Sequence, residues 1–109
     1  MKALAVKQHG GIENLEIMDL PTPTIKPDEV LIASKAVALN QLDLFVRRGS
    51  PALKLELPHI PCSDVSGVIA QVGSAVVGLQ VGQRVAVNSG LSCGHCEFCI
   101  AGEDCLCPD

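Results

Sequence analysis

Apolar and polar residues alternate along most of this chain in short runs, and each run ends at glycine, proline or aspartate. Residues 2–8 alternate well enough for a first strand, which Gly10-Gly11 breaks. Residues 14–20, Asn14-Leu15-Glu16-Ile17-Met18-Asp19-Leu20, alternate as a half-buried strand does. Pro21, Pro23 and Pro27 then form a stiff connector. Residues 29–39 are apolar at nearly every position and predict the longest strand. Residues 41–48 predict one or two helical turns, because Leu42, Phe45 and Val46 share a face and Gly49 provides a stop. Pro51, Pro58 and Pro61 mark an irregular stretch. Residues 65–73 read as a strand with Gly67 inside it, and an interior glycine signals a bulge or a close backbone approach. Residues 81–87 carry a turn and one more short strand. Many short strands separated by Gly/Pro turns, with no long amphipathic helix, predict a small all-β barrel or sandwich.

Composition narrows the function classes. The chain has 109 residues, the size of one domain or of part of a larger protein. It carries 8 Lys+Arg against 12 Asp+Glu, for a formal charge of −4. A generic nucleic-acid binder needs a basic face to neutralise phosphates, so that class is excluded. The two aromatic residues, Phe45 and Phe98, are too few for a base-stacking platform. Hydrophobic residues make up 48%, enough to bury a core and to argue against disorder. No apolar run approaches the length of a membrane span, and the first residues are interrupted too soon for a secretory signal. The expectation is a soluble, cytoplasmic protein. There, cysteines stay reduced, so disulfides do not explain their number.

Five of the six cysteines fall near the end of the chain: Cys93, Cys96, Cys99, Cys105 and Cys107. The composition changes at the same place. After Asn88 the strand pattern stops, and a polar excursion from Ser89 onward is organised by sulfur. Cys93, Cys96, Cys99 and Cys107 follow Cys-x2-Cys-x2-Cys-x7-Cys, which suits a tetrahedral zinc closed by four protein ligands. Such an ion has no open position for water, so it holds a loop and does no chemistry. Gly94 sits where a tight turn around a metal favours positive φ. An iron–sulfur cluster is the competing reading, because Cys107-Pro108 ends the run as in ferredoxins. The last gap here is seven residues, where ferredoxins have about three, and there is no second cluster motif. Cys105 is an alternative to Cys107, and His95 reads as a solvent-facing loop residue. Cys62 stands alone.

With these pieces in order, the chain resembles the N-terminal, GroES-like catalytic domain of the medium-chain dehydrogenase/reductase superfamily, which contains zinc alcohol dehydrogenases and quinone oxidoreductases. The carriers are Met1-Lys2-Ala3, Pro27-Asp28-Glu29-Val30-Leu31-Ile32, the run from Asn40 to Gly49, Pro61-Cys62-Ser63-Asp64-Val65-Ser66-Gly67, Val81-Gly82-Gln83-Arg84-Val85 and the lobe from Cys93 to Cys107. The resemblance implies a mainly-β fold: a GroES-like, partly open β-barrel with short helical turns and a zinc-binding loop lobe. Residues 1–88 would form the barrel core and 89–109 the four-cysteine lobe of the same domain. It places structural zinc on Cys93, Cys96, Cys99 and Cys107.

The catalytic half of the pattern departs from the zinc enzymes. Where they carry a ligand cysteine in Cys-x-x-Asp, this chain has Asn40 ahead of Asp43. Where they carry histidine in Gly-His-Glu, it has Ser63, between Cys62 and Asp64. An amide and a hydroxyl are poor zinc ligands beside thiolate and imidazole. The resemblance therefore implies metal-free hydride transfer of the quinone-oxidoreductase kind. Asn40, Asp43, Ser63 and Asp64 are the candidate active-site residues, and the substrate is a small alcohol, aldehyde, quinone or enone. Asn40 and Ser63 would offer hydrogen bonds to a carbonyl. Asp43 would fix backbone or an arginine, and Asp64 would orient a neighbour or Arg47. A surface salt bridge is the plainer role for Arg47, and His9 and His59 read as ordinary residues.

The cofactor in that superfamily is NAD(P), bound by a Rossmann domain with Gly-x-Gly-x-x-Gly, and that motif does not occur in this sequence. The chain alone is therefore expected to be inactive. Without the return segment that completes the family's domain, it is expected to expose an apolar patch and to form homo-oligomers. A stand-alone zinc-stabilised β-domain that acts as a binding module is the alternative.

Overall fold

A computed structural model describes residues 1–50 and 54–108. Pro51 of the proline-punctuated stretch and Asp109 at the end of the lobe lie outside the described residues. The fold is mainly β, in two open antiparallel sheets. The first sheet joins β1 (Lys2–Val6) to β2 (Leu15–Asp19), with Lys2 opposite Asp19 and Val6 opposite Leu15. A 3-10 turn, Ile12–Asn14, connects them after the glycine pair. The second sheet has the order β3 (Val30–Ala38), β4 (Asp64–Val72), β5 (Arg84–Ala86). Neither sheet closes into a barrel.

Each strand forms where the sequence predicts it, with ends shifted by one to three residues; β4 starts one residue early, at Asp64. β3 bends at two irregularities in its pairing with β4, between Leu31 and Ile32 and between Ser34 and Ala36. Gly67 is buried in β4 opposite this bent segment, and a Cβ there would come within 2.3 Å of the Ala33 carbonyl oxygen. Of the two roles open to an interior glycine, close backbone approach is the one observed.

The helix α1 spans Gln41–Arg48, as its apolar face predicts. Its start is set by a capping box. The Asn40 side-chain oxygen accepts the Leu42 N–H at 3.1 Å, and the Asp43 carboxylate accepts the Asn40 N–H at 2.8 Å. It ends at Gly49, whose φ of 80° no side chain would favour. Arg47 and Arg48 fall in the last turn, where cations suit the helix dipole.

The same end of α1 is clasped to the loop after β1. The Arg47 guanidinium donates to the Gly10 carbonyl at 2.7 Å, and the Gly10 N–H donates back to the Arg47 carbonyl at 2.9 Å. His9 Nδ1 lies 3.0 Å from the Val46 carbonyl, so that nitrogen carries the proton. This corrects two readings. Arg47 makes no surface salt bridge among the described residues, because its planar donors are better used on a loop carbonyl. His9 is a helix-end donor and not an idle residue.

The buried core is thin. Ala5, Val6, Val46 and Ile69 are its buried hydrophobic members among the described residues, and Asp43 is buried with them. β1 is tied to the segment before β4 by a reciprocal pair, with Val6 N–H to His59 O at 2.7 Å and His59 N–H to Val6 O at 3.0 Å. Between β1 and β3 lies an apolar trough of about 510 Å³.

Gly67→Ala should destabilise the fold by roughly 1–3 kcal/mol, because the new methyl meets backbone that cannot yield without breaking the β3–β4 ladder. Urea unfolding followed by circular dichroism checks this, and an unchanged midpoint would contradict it.

Candidate active site and metal centre

The irregular stretch and the start of α1 converge on one buried carboxylate. Asp43 sits one turn into α1 and is 6% exposed. One of its oxygens accepts the Asn40 N–H at 2.8 Å, and the other accepts the Cys62 N–H at 2.7 Å. Both oxygens are thus committed to backbone donors, and together they bridge residues 40 and 62. A carboxylate so placed holds geometry and does not act as a base.

Cys62 adopts φ of 77°, a left-handed conformation that side chains other than glycine rarely take. The short bond to Asp43 holds the chain in that turn, and the turn sends Ser63 and Asp64 into β4. The Cys62 thiol is pushed up from its ordinary pKa, first by burial and then by the Asp43 and Asp64 carboxylates. It is a protonated, poorly nucleophilic thiol at neutral pH.

The amide of Asn40 faces the start of β4. Its Nδ2 donates to Asp64 Oδ2 at 3.0 Å, while its oxygen serves the helix cap. One Nδ2 hydrogen is left over. Asp64 therefore orients Asn40, and Arg47, the other partner considered for it, belongs to the far end of the helix. Ser63 is exposed, and its hydroxyl is uncommitted among the described residues. The structure thus links Asn40, Asp43 and Asp64 by hydrogen bonds, with the Cys62 N–H on Asp43, while Ser63 is their exposed neighbour in the chain. The role of Cys62 is a finding of the structure, because nothing in the sequence marks residue 62 as left-handed.

The second centre is the sulfur lobe. A short helix α2 (Glu97–Ile100) and a 3-10 turn (Asp104–Leu106) shape it, and neither has a strong sequence signal. The sulfurs of Cys93, Cys96, Cys99 and Cys107 all lie within 4.8 Å of one another. Cys96 Sγ and Cys99 Sγ are 3.4 Å apart, and Cys93 Sγ and Cys99 Sγ are 3.9 Å apart. Four thiolates at about 2.3 Å from a central zinc stand about 3.8 Å from each other, so the donor set fits such an ion. Backbone N–H groups point at the sulfurs: Cys93 N–H to Cys107 Sγ at 3.3 Å, and Cys96 N–H to Cys93 Sγ at 3.3 Å. No disulfide forms among the described residues.

The thiols of the lobe differ in acidity. Cys93 is lowered to about 6, chiefly by the backbone N–H groups of His95 and Cys96. Cys99 is pushed up to about 11, first by burial and then by its bond with the Cys96 sulfur. Gly94 has φ of 76°, the turn its position predicts. Cys105 is exposed and outside the cluster, and His95 is exposed with Nδ1 2.8 Å from the Cys93 carbonyl.

Residues 26–109 match the model of the alcohol dehydrogenase GroES-like domain. The chain belongs to that family. It is 36% identical over 101 residues to an alcohol dehydrogenase of Schizosaccharomyces pombe, covering 92% of this chain and 29% of the relative. It is also 36% identical over 109 residues to a quinone oxidoreductase of Mus musculus, covering 99% and 33%. The crystal structure of an NAD-dependent alcohol dehydrogenase superposes with a TM-score of 0.92 at 51% identity, covering 99% of this chain and 32% of that one. The chain thus spans about a third of the length of these relatives. Within the GroES-like family it is an N-terminal domain of the medium-chain dehydrogenase/reductase type.

Asp43→Ala should leave the Asn40 and Cys62 N–H groups without partners, and each such loss costs roughly 1–3 kcal/mol. The expected destabilisation is roughly 2–4 kcal/mol. Asp64→Ala, an exposed change, should fall within about 0.5 kcal/mol of wild type in the same melt. Equal losses for the two variants would contradict the bridging role.

Proposed function

We propose that this chain is the substrate-side domain of an NAD(P)-dependent oxidoreductase that transfers hydride without a catalytic metal. One domain would comprise the β core of residues 1–88 and a structural zinc lobe of residues 89–109. The observation that supports this is the set at the start of β4, where the Asn40 amide bonds Asp64 beside the Asp43 bridge, with the exposed Ser63 next to Asp64 in the chain. An amide, a hydroxyl and carboxylates at this place can bind and polarise a carbonyl but make a weak site for zinc.

The roles follow from the bonds. Asp43 fixes the turn at Cys62. Asp64 holds the Asn40 amide by one N–H, leaving the other to donate to a substrate oxygen. Ser63 offers a second donor at the same surface. Two donors on one substrate oxygen would stabilise the negative charge that develops there during reduction. The nicotinamide, when bound, supplies the hydride. The substrate class is a small carbonyl compound or its alcohol: an aldehyde, quinone or enone. The 109-residue chain has no Gly-x-Gly-x-x-Gly and is inactive alone in this reading.

In the lobe, Cys93, Cys96, Cys99 and Cys107 hold the ion, which fixes the loop in place of an apolar core. The four sulfurs all lie within 4.8 Å of one another, near the spacing of four ligands around a single ion. Zinc is favoured over iron–sulfur on that ground.

Metal analysis of protein purified without added metal should give one zinc per chain and no visible absorption band. Cys107→Ser should abolish retention through gel filtration, and Cys105→Ser should not. A second zinc would overturn the metal-free active site, and a broad visible band with iron would overturn the zinc lobe.

The activity is tested in a chimera in which this chain replaces the matching third of the NAD-dependent alcohol dehydrogenase that is 51% identical to it. Ser63→Ala should lower kcat/KM for a quinone or aldehyde by about tenfold, the worth of one hydrogen bond, with the melting temperature unchanged. No loss on Ser63→Ala in an active chimera would contradict the assignment.

A further inference from the structure

One end of the second sheet carries the proposed site: Asn40 follows β3 there, and Asp64 opens β4. The third strand, β5, ends at the same place. Its pairing with β4 sets Ser66 opposite Ala86, and the Val87 N–H then donates to the Val65 carbonyl at 2.9 Å. One further step of that register sets Asn88 opposite Asp64, on the same face of the sheet, where facing Cβ atoms stand about 5 Å apart. In the sequence, Asn88 marks only the point where the strand pattern stops.

Asn40 and Asn88 are oriented in the same way. Each gives its side-chain oxygen to the backbone N–H two residues on, Asn40 to Leu42 at 3.1 Å and Asn88 to Gly90 at 3.2 Å. A backbone N–H only donates, so the atom that meets it is the oxygen, and each amide nitrogen is turned away. Asn40 Nδ2 spends one N–H on Asp64 Oδ2, at 3.0 Å, and keeps the other. Asn88 Nδ2 and the second Asp64 oxygen have no hydrogen-bond partner among the described residues. The end of the sheet therefore presents a donor, an acceptor and a donor, on three successive strands.

We propose that Asn88 is a further substrate-binding residue, and that the site takes a small carbonyl compound with a hydroxyl on the neighbouring carbon. The carbonyl oxygen accepts from the asparagine amides, and the hydroxyl donates to the free oxygen of Asp64. A plain aldehyde leaves that carboxylate oxygen without a donor once water is displaced, and a buried unpaired acceptor is costly. The proposal rests on the hydride-transfer reading and refines its substrate.

The test uses the chimera with the NAD-dependent alcohol dehydrogenase, assayed on glycolaldehyde and on acetaldehyde, which differ by that hydroxyl. Glycolaldehyde should be preferred in kcat/KM by about tenfold or more. Asn88→Asp keeps an oxygen for the Gly90 N–H and removes the donor. Its added charge faces both aldehydes alike, so the ratio between them reports on the donor. Asn88→Asp and Asn88→Ala should each lower the preference by about tenfold, chiefly through KM, and Asn88→Asp should keep the wild-type zinc content and melting temperature. Equal kcat/KM for the two aldehydes in the parent chimera would overturn the proposal. So would an unchanged preference in Asn88→Asp, because Asn88 would then serve only the turn into the sulfur lobe. Ser63→Ala reads the hydride-transfer assignment separately: if it lowers kcat/KM on both aldehydes while the Asn88 variants keep the preference, that assignment stands and the role of Asn88 falls.

Discussion

The carboxylate of Asp43 joins two parts of the chain that the strands alone would leave unconnected. One oxygen caps the first turn of α1, and the other holds Cys62 in a left-handed turn. Burial makes the constraint strong, since an ionised group out of water needs its hydrogen bonds and both are with backbone. From this bridge follow the entry of the chain into β4, the position of Asp64 and the orientation of the Asn40 amide. The other end of the helix is fixed separately, by Arg47 and His9 on the first loop. A two-turn helix held at both ends is a stiff support for a site, although it buries only Asp43 and Val46.

The chain uses hydrogen bonds and sulfur where a larger domain would use apolar volume. Among the described residues four hydrophobic side chains are buried, and the two sheets remain open. The lobe has no buried hydrophobic residue among the described ones and is ordered by four converging sulfurs. Backbone N–H groups donate to the Cys93 and Cys107 sulfurs and favour the thiolate at Cys93, while burial and the Cys96 sulfur work the other way at Cys99. The same shortage of apolar burial leaves the trough between β1 and β3 open to water. A fold with so little core depends on what covers its faces.

Membership of the GroES-like family gives the domain its architecture. The residues at positions 40 and 63 are an amide and a hydroxyl, both exposed, and the amide is bonded to Asp64. No helix is long and apolar enough to cross a membrane, among the described residues.

Period-two alternation determined β1, β2 and β4, because a strand with one face inward must place apolar residues on every second position. The apolar run, Asn40 and Gly49 determined β3 and α1. Cysteine spacing determined the lobe, since four ligands on a short loop leave few ways to surround an ion. Tertiary structure alone decided the rest. Whether the sheets close is a matter of which edges find partners, and alternation is silent about that. The partner of Arg47 is a carbonyl 37 residues away, and no local pattern encodes it. The left-handed turn at Cys62 is stabilised by a carboxylate 19 residues earlier, so its cause lies outside any window around residue 62. Short-range pattern is set by the geometry of one element, whereas these contacts exist only once separate elements have met.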